Sequence, residues 1–287
     1  MEKIKKKLNR EYILILALII VSIIVNCIYL NDNMQIGFNI QFIFDANLLY
    51  ISIYCTYLAC ITIFDKQLSV EGNVYKSKNL IIPIVFLIIL TYTLNYLLFY
   101  TDVMSSFSIW LSKYRIQFDY FYRFVLLAPI LLIYIFQIKI HEIKWTITWK
   151  QLSVILLMGI SLICILLFLG YKVVLSNNYI IMDKLITALR MLFYPALYEE
   201  LLYRGLFIGV LLGYGFNENK ANVIQAIIFA LSHWTNYRFF GLVMIVKILC
   251  FIIPGLLFGK LYLKTKSLAL TTLLHGLHNS ILMFFGI

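Results

Sequence analysis

The chain alternates between long apolar runs and short polar segments, so its pattern predicts helices that cross a membrane. A hydrocarbon core about 30 Å thick needs about 20 apolar residues per spanning helix. We therefore predict an all-α, polytopic transmembrane helix bundle of about eight or nine spans. A re-entrant or half-buried segment in the short run at 221–236 would make the number eight. The apolar runs lie at approximately 12–30, 40–64, 80–100, 120–138, 152–170, 185–212, 221–236, 242–262 and 267–286.

Composition supports this interpretation and excludes a water-soluble domain. Of the 287 residues, 63% are hydrophobic and 13% are charged, with a mean hydropathy of +0.92. An ordinary soluble domain is about half apolar and about one quarter charged. Nine spans would use about 180 residues, which leaves only short loops between them.

The net charge of +11 is distributed as expected for a membrane protein rather than a nucleic-acid-binding protein. Its lysines are concentrated between the apolar runs, in the segments 65–79, 139–150 and 260–266. Basic loops are retained at the anionic cytoplasmic face. With nine spans and a cytoplasmic N-terminus, these three segments all fall on the cytoplasmic side. Lys113, Arg115 and Lys172 fall on the opposite side, so the basic residues do not all follow the rule.

Carboxylates are scarce within the apolar runs, and Asp45, Glu199 and Glu200 are the exceptions. An ionisable group at membrane depth costs a few kcal/mol or more and is a functional hypothesis by default. On an α-helix Glu200 and Arg204 lie on one face, within reach of an ion pair, and Glu199 points about 100° away. We expect Glu200 to be neutralised by Arg204, Glu199 to be available for chemistry, and Asp45 to pair within the bundle.

Two further polar pairs follow at helical spacing, Phe229 with His233 and His275 with Asn279. Polar groups on separate helices of one bundle tend to converge, because lipid offers them no partners. A carboxylate with imidazoles and an amide can activate water and stabilise an oxyanion. Each of these residues alone is more often a structural hydrogen-bonding group, which is how we interpret His278. The ordered set favours catalysis.

The three motifs resemble those of the CPBP family, the CAAX-prenyl-protease-like and bacteriocin-processing intramembrane glutamic endopeptidases. They read EExxxR from Glu199, FxxxH from Phe229 and HxxxN from His275. The resemblance covers roughly residues 185–287 and implies an intramembrane protease core there. Residues 1–175 are then N-terminal transmembrane helices without a recognised motif.

The resemblance implies a role for each motif residue. Glu199 would be the general base that activates water, assisted by His233. His275 and Asn279 would polarise the scissile carbonyl and hold the oxyanion. The implied catalytic residues are thus Glu199, His233, His275 and Asn279, and the supporting residues are Glu200, Arg204 and Phe229.

The implied reaction is hydrolysis of a peptide bond without a cofactor. The expected partners are the lipid bilayer and a hydrophobic peptide or membrane-bound protein substrate, such as a pheromone precursor or a bacteriocin leader. A composition rich in Ile, Lys, Asn, Tyr and Phe suits an AT-rich bacterium. It favours a multi-pass protein of the bacterial plasma membrane over a protease of prenylated proteins.

Two alternatives stay open at this point. One is a non-catalytic immunity or regulatory scaffold that keeps the motifs for structure, and its signature would be function that survives loss of Glu199. The other is a zinc metalloprotease, which is less favoured because the sequence has no HExxH motif. The five cysteines lie inside apolar runs without a CxxC pair, so they predict neither a zinc site nor a disulfide framework.

Overall fold

The computed structural model describes most of the predicted bundle. Within the described residues every regular element is a helix, which confirms the all-α fold class. The predicted first span at 12–30, apart from position 17, lies outside them, as do Lys113, Arg115 and the side chain of Asp45. The described residues are 40–100 except 71 and 73, 128–138, 143–170, 189–233 and 243–284, with the single positions 17 and 186.

Each predicted apolar run from residue 40 onwards contains one helix among the described residues, although α4 in the run 120–138 has only eight residues. We use α6 for the continuous helical run 189–213, in which Leu192–Leu197 and Glu200–Phe207 are π-helical and Ile208–Gly213 is α-helical. The other helices are α1 (Ile40–Ile63), α2 (Asp65–Leu68), α3 (Ile81–Tyr100), α4 (Ala128–Ile135), α5 (Trp149–Phe168), α7 (Glu218–Leu231), α8 (Val243–Thr265) and α9 (Leu268–Phe284).

Helix length limits which elements cross a bilayer. Among the stretches whose side chains the structure describes, α5 is the one helix long and apolar enough to do so by length and composition. The apolar parts of α1 and α3 that meet this condition, Ser52–Ile63 and Ile81–Leu90, are shorter, as is α9. The 14 residues of α7 extend only about 21 Å, less than the hydrocarbon thickness of about 30 Å. The total of eight or nine spans stays a prediction.

Three helices begin with a side-chain cap. At α5, Thr148 and Gln151 form a capping box, each side chain accepting from the other's backbone N–H. The Asn217 side chain accepts from the N–H of Lys220 at α7, and Ser267 Oγ caps α9. Such caps satisfy amides that have no partner inside the helix. The local sequence therefore fixes where these helices start.

The lysine-rich segments meet at one end of the bundle. The backbone N–H of Val70 donates to the carbonyl of Lys264 (3.1 Å), and that of Leu268 donates to the carbonyl of Lys144 (2.8 Å). An ion pair of 2.8 Å between Lys266 and Glu218 adds the start of α7. Residues far apart in the sequence thus share one polar surface. We call it the basic end, and it comprises residues 65–70, 74–80, 143–150, 214–220 and 264–267.

Small residues bring the C-terminal helices close together. A Cβ atom added at Gly276 of α9 would lie 2.8 Å from the Cα of Leu192 in α6. A Cβ at Gly255 of α8 would lie 3.0 Å from the Cα of Ala226 in α7. Glycine permits this approach because it has no side chain. As a result α6, α7, α8 and α9 enclose a common interior, where the motif residues lie.

Candidate active site

The three sequence motifs meet in the interior formed by these four helices. The π-helical part of α6 carries Glu200 and Arg204, and Glu199 directly precedes it. His233 lies just beyond the C-terminal end of α7, where its backbone N–H donates to the carbonyl of Ala230 (3.0 Å). His275 lies two turns into α9. The motifs therefore form one cluster although they are separated along the chain.

Glu199 lies between two imidazole rings. Its Oε1 is 3.8 Å from Nε2 of His233, and its Oε2 is 3.7 Å from Nε2 of His275. Both separations exceed a direct hydrogen bond, so the rings flank the carboxylate without bonding to it. Oε2 is buried and has no hydrogen bond to any described residue. About 15% of the side chain is exposed, so Glu199 is the accessible glutamate of the adjacent pair.

The hydrogen bonds of His233 fix which ring nitrogen faces Glu199. Its Nδ1 lies 2.9 Å from the backbone carbonyl of Phe229. A carbonyl oxygen only accepts, so Nδ1 carries the proton. In the neutral ring, Nε2 then presents its lone pair towards Glu199.

Glu200 is shared between a guanidinium and an imidazole. Its Oε1 lies 3.0 Å from Nη1 of Arg204 and 2.8 Å from Nδ1 of His275. Glu200 and Arg204 are fully buried, and Arg204 lies over the Phe229 ring at 4.4 Å. The guanidinium directs no hydrogen bond at a described residue, so its contact with Glu200 is Coulombic. An ionised Glu200 only accepts, so Nδ1 of His275 donates to it.

Two phenylalanines of α8 cover the histidines. Phe251 stacks on His233 with ring centroids 4.4 Å apart and an interplanar angle of 18°. Phe258 stacks on His275 at 4.9 Å and 28°. The ring of Phe229, on α7, also contacts His233, with ring centroids 4.7 Å apart. Aromatic rings therefore line the polar cluster on the sides formed by α7 and α8.

A comparison with known protein families finds a match in this part of the chain. The model of the type II CAAX prenyl endopeptidase Rce1-like family matches residues 181–281, about one third of the chain. This segment is therefore similar to CAAX protease-like proteins. That family is membrane-embedded and consists of peptidases. No curated protein and no solved structure matches the chain.

All seven motif residues lie inside this CAAX protease-like segment, but one does not join its polar network. Asn279 is half-buried, one turn beyond His275 on α9. Among the described residues, no hydrogen bond or ion pair includes it. His278, interpreted from the sequence as structural, is buried, and its Nδ1 lies 3.1 Å from the hydroxyl of Tyr57 in α1.

The structure adds three features to the site expected from the sequence. Glu200 contacts His275 as well as Arg204, and α6 is π-helical where α-helical geometry was assumed. Phe251 and Phe258 were not identified from the sequence at all. Their spacing of seven residues, which places both on one helical face, was the available signal. Pro195, inside the first π-helical segment, removes a backbone donor there.

The described part of the chain contains no group of three His, Cys, Asp or Glu side chains placed to hold a metal ion. In the CAAX protease-like segment, Nδ1 of His275 and Nδ1 of His233 already bond to protein oxygens. Only their Nε2 atoms face Glu199. The arrangement suits proton transfer around one carboxylate.

Proposed function

We propose that the protein is an intramembrane, glutamate-dependent endopeptidase that acts without a metal ion. Its substrate would be a hydrophobic peptide or a membrane-associated precursor. The observation that carries the proposal is the position of Glu199, a half-buried, accessible carboxylate with an imidazole Nε2 on each side. The match of residues 181–281 to the CAAX prenyl endopeptidase family model supports the reaction class.

Glu199 acts as the general base in this proposal. A water molecule held against its carboxylate transfers a proton to Glu199 as the oxygen attacks the scissile carbonyl. His233 accepts a hydrogen bond from the same water at Nε2, because the Phe229 carbonyl holds the single N–H proton of the neutral ring at Nδ1. The attack converts the carbonyl into a tetrahedral oxyanion.

His275 and Asn279 stabilise that oxyanion. With Nδ1 of His275 donating to Glu200, a second proton on Nε2 makes the ring an imidazolium that donates into the site. The Glu200 carboxylate balances this charge and orients the ring, as a buried carboxylate orients the histidine of other hydrolytic sites. The Asn279 amide, one turn further along α9, supplies a second donor. The proton on Glu199 then passes to the departing amine.

The depth of the site supports a hydrophobic substrate. The 14-residue helix α7 begins at the basic end and leads to His233 at its other end, a distance of about 21 Å. Helix α5 presents apolar side chains at the surface, since Ile160 and Phe168 are 58% and 90% exposed. A large exposed apolar surface on a bundle of this kind is expected to contact lipid. We therefore infer that the site lies at membrane depth in a multi-pass protein of the bacterial plasma membrane. The basic end then faces the cytoplasm, because basic loops are retained on that side.

Peptide maturation is the substrate class we favour. The matching family is described as a CAAX prenyl endopeptidase, but the composition of this chain suits an AT-rich bacterium, in which prenylated CAAX proteins are not expected. A pheromone precursor or a bacteriocin leader fits both the membrane depth and this composition.

Replacing the proposed base tests the function. Cells carrying the wild-type protein, Glu199→Gln or the control Glu218→Gln, which alters an exposed carboxylate at the basic end, are compared by mass spectrometry of peptides in membrane and medium. At equal expression, we expect Glu199→Gln alone to lose a peptide and accumulate its longer precursor. Identical profiles for all three would refute hydrolysis by Glu199 and favour the scaffold.

A further inference from the structure

Helix α8 contributes no motif residue, yet it touches both histidines that flank Glu199. Phe251 and Phe258 are two helical turns apart and lie on one face of α8. Each ring is nearly parallel to a different imidazole, at 18° for His233 and 28° for His275. Aromatic pairs can pack edge-to-face as favourably as they stack. Both rings of α8 nevertheless stack on a histidine that flanks Glu199, so the two contacts form one arrangement specific to this site.

Helix α7 holds this part of α8 in place. Nε2 of Gln225 donates to the carbonyl of Gly255 (2.8 Å), and Nδ2 of Asn222 donates to the carbonyl of Leu256 (3.0 Å). A further bond of 2.9 Å joins the two amide side chains. Both carbonyls lie between the two phenylalanines in the sequence. The stretch that presents the rings is thus fixed by buried side-chain hydrogen bonds.

Stacking adds a restraint on each imidazole that its hydrogen bonds do not supply. The χ2 torsion of histidine is broad, and contacts at Nδ1 alone leave the plane of the ring some freedom to tilt. Nδ1 of His233 contacts the Phe229 carbonyl and, at 3.2 Å, Ser232 Oγ, and Nδ1 of His275 bonds to Glu200. A ring stacked on the imidazole face limits this tilt, so Nε2 keeps its direction towards Glu199.

We propose that Phe251 and Phe258 are positioning residues that hold His233 and His275 in their working orientation. The catalytic consequence rests on the proposed endopeptidase function. Helix α8 thereby restrains both histidines, one on each side of the Glu199 carboxylate.

Histidine NMR on the purified protein in detergent tests the stacking directly. The chain has only four histidines, so their ring signals are assignable by single substitutions. A proton above an aromatic face is shifted upfield. We expect Phe251→Leu to move the His233 signals downfield, and Phe258→Leu to move chiefly those of His275. The control Phe207→Leu removes a buried phenylalanine of α6 that has no described ring contact with a histidine, and it should move neither.

Turnover tests the catalytic consequence, with the precursor that accumulates in Glu199→Gln cells as the probe. We expect each Phe→Leu variant to lower kcat roughly 2- to 10-fold at nearly unchanged KM. Phe251→Tyr, which keeps the ring at a half-buried position, should retain most of the rate. Phe207→Leu should keep the wild-type kcat.

The outcomes separate the positioning proposal from the proposed function. Unchanged histidine signals in both Phe→Leu variants would overturn the stacking. Shifted signals with unchanged kcat would overturn the positioning role while Glu199-dependent cleavage stands. If Glu199→Gln changes no peptide, the proposed function fails and the positioning role with it, even where the ring shifts confirm the stacking.

Discussion

Glu199 and Glu200 are neighbours in the sequence but occupy opposite environments. Glu200 is fully buried and lies within 3.0 Å of Arg204 and 2.8 Å of His275. Glu199 is partly exposed, and both of its contacts with imidazoles are longer than 3.5 Å. The buried Glu200 carboxylate is held in one place by these two partners, whereas Oε2 of Glu199 has no hydrogen bond to a described residue and can accept one from a reactant. The two residues should therefore respond differently to the same substitution.

We predict that Glu200→Gln destabilises the protein much more than Glu199→Gln. Loss of the Glu200 charge leaves Arg204 buried without a counter-charge, which costs about 3–5 kcal/mol. Glu199→Gln removes no close partner and should cost about 1 kcal/mol or less. Thermal unfolding of both variants in one detergent measures the difference. Equal losses would show that the ion pair does not support the fold.

At the same scale, the sequence predicts which residues gather but not all of their contacts. The spacing of Glu200 and Arg204 predicts a pair on one face, and the structure places them 3.0 Å apart. The bond from His275 to Glu200 joins residues 75 positions apart, and it depends on helix packing that no local spacing reports. Spacing places the two phenylalanines of α8 on one face, but their contacts with the histidines depend on the same packing.

Between elements, α1 is joined to the C-terminal helices by a buried polar contact. The Tyr57 hydroxyl lies 3.1 Å from Nδ1 of His278 on α9, and the ring of Phe258 on α8 packs edge-on to His278. Helix α1 lies outside the segment matched by the family model. The N-terminal region therefore contributes to the packing that holds α9, which carries His275.

We predict that Tyr57→Phe lowers the free energy of unfolding by about 1–3 kcal/mol, because it leaves a buried imidazole nitrogen without its partner. His278→Leu in the same background should then cost less than it does in the wild type. A double-mutant cycle followed by thermal unfolding measures this coupling. Strictly additive effects would mean that the two side chains do not interact.

The sequence predicts that α6 is helical, but it does not reveal that parts of α6 are π-helical. The apolar runs predict the helices from residue 40 onwards, including the short α7, because burial and length govern them. The π-helical turns of α6 depend on how the backbone adapts to Pro195 and to neighbouring helices. Such turns are frequent at functional sites, which agrees with the position of Glu199 between the two π-helical segments.

For the whole molecule, the proposed orientation in the membrane rests on the separation of polar and apolar surface. The lysine-rich segments meet at the basic end, while α5 exposes apolar side chains along its length. The core clusters cross the predicted boundary near residue 180, since residues of α1 and α5 pack with residues of α8 and α9. The separation into residues 1–175 and 185–287 stays a prediction, as does the number of spans, because 12–30, 101–127 and 171–185 lie largely outside the described residues.

We predict that the basic end faces the cytoplasm as a unit. In a cysteine-free background, Lys78→Cys, Lys150→Cys and Lys220→Cys, all at exposed positions, should react with a membrane-impermeant maleimide only when the cytoplasmic face is accessible. Lys172→Cys, four residues beyond the end of α5 along the chain, should react from the outside of intact cells. Labelling of the first three sites from opposite sides would contradict a single basic end.

Cleavage by the purified protein tests the central claim, metal-independent hydrolysis by Glu199, most directly. The protein is placed in lipid vesicles with the precursor that accumulates in Glu199→Gln cells, with and without a strong zinc chelator. The account predicts cleavage by the wild type and by Glu218→Gln, no effect of the chelator, and a rate for Glu199→Gln lower by about 10²–10⁴-fold. Cleavage by Glu199→Gln at the wild-type rate, or loss of wild-type cleavage with the chelator, would contradict it.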